Sequence, residues 1–394
     1  MPSEHRPRGR PSVSGPAFFV VTMLHRGSIR RALSQETHVF RPVIVRVVIL
    51  ILSALALAAP LAESPAGSAS APAPAVAPAP ARVVVVEQPL ALVEYSTRLA
   101  VLRPMVDRGL TNLTGKATSS AAWRSLVSTQ DVVGIKVFCA PGPMSGTRPA
   151  VVEAAVQGLL EAGIPSSHIV IWDKHAAQLR LAGYFSLADR YGIRVEGALE
   201  AGYSTNHFYE TPIIGQLVWG DREFGQTGEG LGRKSFVSRL VTDQITKIIN
   251  ITPLLNHNLV GVSGCLYSLA MGSVDNTMRF STQTDRLVTA VPEIYALPIL
   301  GDRVVLNIVD ALAAQYYGEE RSLLHYSAVL NQLRFSTDPV ALDVLSIEEL
   351  QRQREIAGAP PAKANLQLYQ NAALVEIGVC DSENIRVDWL KPTD

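Results

Sequence analysis

A lysine and an aspartate stand near the ends of two short apolar runs of the sequence. Lys136 lies in "VVGIKVF", which begins at Val132, and Asp173 ends "HIVIWD", which begins at His168. An amine in a buried strand is costly unless it is paired or faces a cavity, and open α/β sheets bind ligands at the carboxyl ends of their strands. Lys136 therefore stabilises charge in a site or lies in water on an edge strand. Asp173 is a functional carboxylate or the N-cap of a helix that starts at Lys174.

The Gly/Pro/Ser loop before Pro149 leads into an amphipathic helical pattern that ends before Gly163. A helix start exposes backbone N–H groups at the positive end of its dipole, which suits a carboxylate or phosphate. Arg148 would add a bidentate donor beside Gly146 and Thr147. The loop lacks the spacing of the G-x-G-x-x-G and G-x-x-x-x-G-K-[ST] nucleotide motifs. It therefore holds one small anion or merely connects a strand to a helix.

A further group of polar residues follows the apolar run that begins at Thr246. Asn256, His257 and Asn276 could hydrogen-bond a ligand, and the glycines among them permit close approach of the backbone. His257 has no partner histidine two or four residues away, so no standard metal spacing is present. It is a catalytic acid or base, or a capping or core histidine. Asp338 precedes a proline, which predicts a helix N-cap, and it is a further candidate ligand residue.

The elements that must position these residues alternate between short β-branched runs and longer helical patterns, as in an α/β fold. Several runs lack polar alternation, as expected of strands that are covered on both faces. The sequence therefore predicts a mixed or mostly parallel sheet flanked by helices. Strands are predicted to begin near Arg82, Val132, His168, Ile193, Thr246 and Arg303. Helices are predicted over 91–109, 149–162, 174–182, 339–356 and 366–374.

Composition limits the classes of protein that fit this chain. Its 394 residues are 47% hydrophobic and 18% charged, which suffices for one large or two ordinary domains with a sizeable core. Residues 1–59 carry eight arginines and two glutamates, so the remainder has 27 basic and 33 acidic residues. That acidic balance argues against nucleic-acid binding. The three cysteines, Cys139, Cys265 and Cys380, have no C-x-x-C spacing, which excludes a cysteine-ligated cluster and predicts buried free thiols.

The first 59 residues resemble an export signal, because a basic region precedes the apolar run 47–59 and "ALALAAP" offers small residues for cleavage after Ala58 or Ala59. The mature chain would then be periplasmic or extracellular. In the alternative, Arg46 extends the run to about 19 or 20 residues and the segment stays as a membrane anchor. Residues 60–81 form a Pro/Ala/Ser spacer, and 82–394 are predicted to form a single α/β domain. Contact with a membrane is predicted through the N-terminal segment alone, if it is not cleaved.

Four stretches of the chain together resemble the domain of unknown function 362 (DUF362) family over roughly residues 131–387. They are "DVVGIKV…TRPAVVEAAVQGLLEAG", "IVIWDK…LAGY", "NHNLVGVSGCLYSL" and "FSTDPVALD". The resemblance implies an α/β fold, and many bacterial members carry export signals. It matches Lys136 to the family's strand lysine, Asp173 to the aspartate after the second strand, His257 to the histidine before "GVxGxL", and Asp338 with Asp343 to "STDPVAxD". Some members carry a ferredoxin segment, but its cysteines are absent here.

The chain also departs from the pattern that this resemblance suggests. Many members have lysines near the histidine, where this chain has Pro253, Leu255 and Tyr267. Two hypotheses follow. In the first, an enzyme acts on a small carboxylate or phosphate, with Lys136 stabilising charge and His257 as acid or base. In the second, the same cleft binds a ligand or partner without chemistry, and the lysine and Asp173 form a structural ion pair. No cofactor and no metal is indicated.

Overall fold

The computed structural model describes residues 80–216 and 231–392. The predicted leader, and the predicted spacer as far as residue 79, lie outside the described residues. The signal peptide, the anchor and the spacer therefore stay predictions. Across the described ranges, no helix is both long enough and apolar enough to cross a bilayer.

Strands and helices alternate along most of the chain, as predicted. The strands are β1 (Ala81–Glu87), β2 (Leu92–Val93), β3 (Ser96–Thr97), β4 (Val133–Val137), β5 (Ile169–Asp173), β6 (Arg194–Gly197), β7 (Tyr203–Gln216), β8 (Leu231–Ser238), β9 (Lys247–His257), β10 (Gly261–Val262), β11 (Val304–Gln315), β12 (Ser327–Ser336) and β13 (Ile385–Leu390). The helices are α1 (Leu99–Thr114), α2 (Ser119–Leu126), α3 (Pro149–Glu161), α4 (Ala176–Leu181), α5 (Phe185–Tyr191), α6 (Ala198–Ala201), α7 (Cys265–Ser273), α8 (Met278–Ser281), α9 (Thr284–Tyr295), α10 (Pro339–Ile356) and α11 (Gln367–Leu374).

Nine of the described strands form one mixed sheet in the order β13-β1-β12-β11-β9-β4-β5-β6, with β10 paired to β9. Neighbours are parallel from β11 to β6, whereas β12 runs antiparallel to both β11 and β1. The α/β fold class predicted from the sequence is therefore confirmed. Strands β7 and β8 pair with each other as a separate antiparallel hairpin.

The apolar runs form buried strands because both faces of the sheet are covered. Successive residues of β4 alternate between two cores: Ile135 packs in the core that contains Val152 of α3, whereas Phe138, just after β4, packs with Leu266 of α7. Side chains of a strand alternate between faces, so Lys136 points toward α7. The strand lysine is therefore buried, and the edge-strand alternative is wrong.

Helix boundaries agree with the sequence where proline marks them. Helices α3 and α10 begin at Pro149 and Pro339, as predicted, because proline fits the first helical turn. The helix predicted from residue 91 begins only at Leu99, since Glu94 and Tyr95 adopt left-handed backbone angles in the turn between β2 and β3. Strands β2, β3, β7, β8, β10, β12 and β13 were not predicted.

The connectivity predicts a crevice at the carboxyl ends of the central strands. From β4 the chain continues outward through β5 and β6 on one side, whereas β9 and β11 lie on the other side. In open α/β sheets, ligands bind at the carboxyl ends of the strands where the connections diverge in this way. The carboxyl ends of β4, β5 and β9 are therefore where a site is expected.

Candidate functional site

Lys136 and Asp173 form a buried ion pair at the end of β4 and β5. Lys136 is completely buried, and its Nζ donates hydrogen bonds to Asp173 Oδ1 at 2.9 Å, to Ser268 Oγ at 3.1 Å and to the Val137 carbonyl oxygen at 2.7 Å. Each of the three ammonium hydrogens thus has an acceptor. The register pairs Lys136 with Trp172, directly before the aspartate, so the two strands fix the geometry of the pair.

Asp173 also organises the two loops that leave these strands. Its Oδ2 accepts hydrogen bonds from the Cys139 backbone N–H at 2.9 Å and from the Cys139 thiol at 3.0 Å, while Oδ1 accepts from the Lys174 N–H at 2.8 Å. Burial by itself would raise the pKa of Asp173, but Lys136 and these donors lower it below its usual value. Burial and the neighbouring carboxylate raise the pKa of the Cys139 thiol, so it is not a thiolate nucleophile.

Helix α7 covers the ion pair closely because of Gly272 and Asp343. A Cβ on Gly272 would lie 2.3 Å from Lys136 Cε, so only glycine permits this approach without a shift. At the other end of α7, Asp343 Oδ1 and Oδ2 accept hydrogen bonds from the N–H groups of Cys265 and Leu266 at 2.6 and 3.0 Å. Burial raises the pKa of Asp343 to about 7, against the opposing effect of these donors. Asp343 thus positions the helix that covers the site.

A cavity of about 290 Å³ lies beside this pair, between the ends of β4 and β5 and helix α7. A pocket of this size fits a small metabolite. Polar and apolar side chains share its wall. The lining residues are Phe138, Ala140, Asp173, Lys174, His175, Gln178, Tyr267, Ser268, Met271, Gly272, Thr277, Met278, Ser281 and Glu320.

The groups that face the cavity include two basic residues and one glutamate outside the buried pair. Lys174 Nζ donates a hydrogen bond to Thr277 Oγ1 at 3.0 Å, and His175 follows it in the chain. Glu320 lies at the mouth, where its side chain still reaches solvent. The surrounding protein, and the negative charges of Asp173 and Glu319, raise the pKa of the Glu320 carboxyl. These groups can bind an anion and exchange a proton with it.

The loop that carries Glu320 is held against the end of β9. The Glu319 N–H donates to Asn256 Oδ1 at 3.2 Å, and Glu319 Oε1 accepts from the Asn258 N–H at 2.9 Å. Glu319 itself has a φ of 53°, in the left-handed region that non-glycine residues seldom adopt. Asn256 therefore positions the loop of Glu320 and does not line the cavity.

His257 is separated from the cavity by the ring of Tyr267. Its imidazole packs on Tyr267 with ring centroids 4.4 Å apart, and Tyr267 lines the cavity together with Phe138. His257 Nδ1 accepts a hydrogen bond from the Leu259 N–H at 3.2 Å, so the neutral ring carries its proton on Nε2. Burial lowers the pKa of His257 to about 4, which keeps the ring uncharged at neutral pH.

Arg148 is turned away from the cavity and toward Asp310 of β11. Its Nη1 donates to Asp310 Oδ1 at 2.8 Å, and its backbone N–H donates to Asp310 Oδ2 at 2.9 Å. The start of α3 therefore already holds a carboxylate, which belongs to the chain itself. Thr147 Oγ1 donates to the Ile251 carbonyl at 2.8 Å and accepts from the Phe138 N–H at 3.0 Å, which fixes the loop to β9.

Gly146, Asn276 and Asp338 also lie outside the cavity lining. Gly146 sits where a Cβ would come within 2.7 Å of two carbonyl oxygens of its own loop. Asn276 Nδ2 donates to the Lys234 carbonyl at 3.0 Å. Asp338 caps α10 by accepting from the Ala341 N–H at 2.9 Å, and its second oxygen accepts from the Val379 N–H at 2.9 Å.

Of the predicted site residues, Lys136 and Asp173 come together, His257 and Asn256 lie behind the cavity wall, and Arg148 belongs to a separate ion pair. Sequence reasoning missed Glu320, His175 and Gly272. His175 follows Asp173 at a strand end, which is a signal that could have identified it, whereas the loop of Glu320 carries no motif. In the described part of the chain, no three His, Cys, Asp or Glu side chains are grouped closely enough to hold a metal ion.

The fold and this geometry define an α/β protein with a ligand-sized cavity at the strand ends of its sheet. A sequence model of the family described as "Domain of unknown function (DUF362)" matches residues 133–348, which include the pair, α7 and the loop of Glu320. The chain therefore belongs to the DUF362 family.

Two further comparisons add little to the family assignment. No curated protein matches the chain. Among solved structures, it is similar to a crystal structure of a protein from Thermotoga maritima solved by the Northeast Structural Genomics Consortium, with 12% sequence identity and a TM-score of 0.33. That match covers 67% of this chain and 60% of the Thermotoga protein.

Proposed function

We propose that this chain is an enzyme that acts on a small anionic ligand, a carboxylate or a phosphate, in the cavity at the ends of β4 and β5. One observation carries the proposal: Lys174 and His175 face a cavity of about 290 Å³ directly beside the saturated Lys136–Asp173 pair. The pair holds the backbone of Lys174 in place through the hydrogen bond from the Lys174 N–H to Asp173 Oδ1. A positioned cation next to the cavity is the condition for electrostatic stabilisation of a reacting anion.

In this proposal each group has a defined part. Lys174 and the hydroxyl of Thr277 bind the anionic group of the ligand. Glu320 lines the cavity and its pKa is raised by the surrounding protein and by the charges of Asp173 and Glu319, and in this proposal it holds or delivers a proton. His257 supports Tyr267 from behind, because its lowered pKa of about 4 makes it a poor base at neutral pH.

Binding is tested on the full chain with inorganic phosphate, acetate and lactate, by calorimetry and by the shift in melting temperature. We expect one of these probes to bind saturably and Lys174→Met to weaken its binding about tenfold or more, since hydrogen bonds to charged groups contribute about 1.5–3 kcal/mol. Lys116→Met is the matched control, because Lys116 is exposed in the turn after α1 and does not line the cavity. Equal binding by the two variants would contradict the assignment.

A second candidate function is binding without chemistry, and the bonding of Lys136 favours it. All three ammonium hydrogens are already used, so Lys136 has none left for a substrate. Turnover separates the two functions. Natively purified protein is analysed by mass spectrometry for a bound compound, which is then incubated with the wild type and with Glu320→Gln. Conversion that is lost in Glu320→Gln supports the enzyme, whereas release of the unchanged compound by both supports the binding protein.

We also propose that the chain is exported and that residues 82–394 act as one α/β domain after removal of the leader. The support is the basic region and apolar run of 1–59, followed by the spacer. Export and cleavage are tested by expressing the full-length gene, fractionating the cells and measuring the mass of the purified protein. A mature N-terminus near residue 59 or 60 agrees with cleavage, while an intact chain in the membrane fraction indicates the anchor.

A further inference from the structure

A groove on the opposite side of the sheet from β6 contains a buried arginine. The groove lies between α10 and the outer strands β1, β12 and β13, has a volume of about 220 Å³ and shares no residue with the cavity described above. Its lining residues are Val85, Arg334, Leu345, Glu348, Glu349, Arg352, Val387 and Trp389.

The register of the outer strands explains the shape of the groove. Val85 of β1 is aligned with Arg334 on one side and with Trp389 on the other, so the three side chains form a row across the sheet. Val387 lies two residues before the tryptophan and therefore on the same face. The floor of the groove is thus apolar, and the indole of Trp389 is 51% exposed at its outer end.

Arg334 closes the inner end of the groove and is 4% exposed. Its Nη1 donates to the Leu345 carbonyl at 3.3 Å and its Nη2 to Gln332 Oε1 at 3.0 Å, but its buried Nε has no hydrogen-bond acceptor among the described residues. A buried donor without an acceptor is destabilising, because it has lost its hydrogen bonds to water. The position therefore lacks one acceptor, and it adjoins an open groove.

Two arginines and two glutamates line the groove, and Glu349 is the carboxylate that lies near Arg334. Glu349 Oε2 lies 3.6 Å from Arg334 Nη2, but the same carboxylate is held at 2.7 Å by Arg352 Nη2. One carboxylate therefore serves two guanidinium groups. Burial lowers the pKa of Arg334, as expected of a cation with little solvation.

We propose that this groove is a second binding site, which takes a small aromatic carboxylate. The carboxylate accepts from the guanidinium of Arg334 and supplies the acceptor that its Nε lacks. The aromatic ring lies on Val85 and Val387 and against the indole of Trp389. Five of the eight lining residues lie outside the residues matched by the family, so the site is built partly by the chain around the family domain. They are Val85, Glu349, Arg352, Val387 and Trp389.

Benzoate is the probe, and the protein is the full chain carrying Lys174→Met, so that anion binding in the cavity at β4 and β5 is weakened. We expect saturable binding by ligand-observed NMR, with a dissociation constant of about 1 mM for so small a ligand. Benzyl alcohol, which lacks the charge, should bind about tenfold more weakly. Because the background variant weakens anion binding at the other site, failure of this test leaves the proposed function standing, and failure of the proposed function leaves this site untouched.

Three variants locate the binding. Arg334→Gln should weaken benzoate binding about tenfold, and Trp389→Ala about fivefold through loss of ring contact. Glu349→Gln should strengthen it, because the competing carboxylate is gone. Leu374→Ala is the control, since Leu374 is an exposed apolar side chain on α11 and does not line the groove.

Trp389 is half exposed, so Trp389→Ala keeps the test valid if the arginine variant fails to fold. Absence of saturable binding by folded protein would overturn the proposal. Benzoate binding that is unchanged in Trp389→Ala, or weaker in Glu349→Gln, would overturn it as well.

Discussion

Two buried ion pairs lie near the strand ends of this protein, and they differ in what they leave for a ligand. Lys136–Asp173 borders a cavity and positions the loops that line it, with Asp173 bonding to the backbone of both Cys139 and Lys174. Arg148–Asp310 borders none of it, because Asp310 satisfies both the guanidinium and the N–H at the start of α3. A charged residue at a strand end can thus be part of a site or can be neutralised entirely within the fold.

The variants with the largest expected effect remove the carboxylate of each pair. They test whether both pairs stabilise the fold while only Lys136–Asp173 supports anion binding. Asp173→Asn and Asp310→Asn each leave a buried cation unpaired, so each should lower the free energy of unfolding by about 3–5 kcal/mol in denaturant titrations. Among variants that still fold, only Asp173→Asn should weaken binding of the anion. Glu161→Gln, in an exposed pair with Arg103, should cost at most about 1 kcal/mol. Equal loss of binding in both buried variants would remove the distinction.

The cavity side should also show a dependence of stability on pH. The folded-state pKa of His257 is lowered to about 4, below the ordinary value of 6.5. Its contribution is therefore fully present above pH 6.5 and is lost as the pH falls toward 4, by about 3 kcal/mol in total. His257→Phe should flatten this part of the pH profile of unfolding, measured by denaturant titration across that window. Leu374→Ala, at an exposed side chain that does not titrate, serves as control and should leave the profile unchanged.

Gly272→Ala tests the close packing of α7 on Lys136 without removing a charge. The new methyl group would lie 2.3 Å from Lys136 Cε, so the lysine or α7 must move, at a cost of about 1–3 kcal/mol. We expect weaker anion binding together with a lower melting temperature. Gly115→Ala is strained only by its positive φ, has nothing within 4 Å, and should leave binding unchanged. If Gly272→Ala bound the anion as tightly as wild type, the close packing on Lys136 would not matter for binding.

Thr147→Val has the smallest expected effect and tests the loop next to the Arg148–Asp310 pair, away from the cavity. The substitution removes the hydroxyl that bonds Ile251 and Phe138, so it should lower stability by about 1–2 kcal/mol, as measured by thermal unfolding. Anion binding should stay unchanged, because Thr147 does not line the cavity. A large loss of binding would restore Thr147 to the site.

The sequence could predict the inner half of the sheet because its strands are short, apolar and marked by local signals. Lys136 within "VGIKV" and Asp173 after "IVIWD" identified two strand ends, which the parallel register brings together. The outer strands β12 and β13 were missed. Strand β13 and the first half of β12 are partly exposed, and charged residues such as Arg334 and Asp388 interrupt the apolar ones, so no continuous apolar run marks these strands.

The candidate site was less predictable than the fold because its parts lie far apart in the chain. Asp310 lies 162 residues from Arg148, and nothing in the sequence around the arginine indicates that its carboxylate partner is internal. Glu320 stands in a loop without a motif, and Asn256 and Asn258 hold that loop through their hydrogen bonds with Glu319. From the sequence, Asn256 could be assigned only as a polar residue able to bind a ligand.

The pairing of β1 with β13 has a consequence for how the chain is made. Ala81 pairs with Ile385, so the first strand of the sheet is joined to one that is synthesised about 300 residues later. Contacts of such long sequence separation form slowly. At a synthesis rate of about 5–20 residues per second, the edge of the sheet cannot close for at least about 15 s after β1 is made. Until then the side of β1 that faces β13 has no strand to pair with, and a chain released before residue 385 cannot complete its sheet.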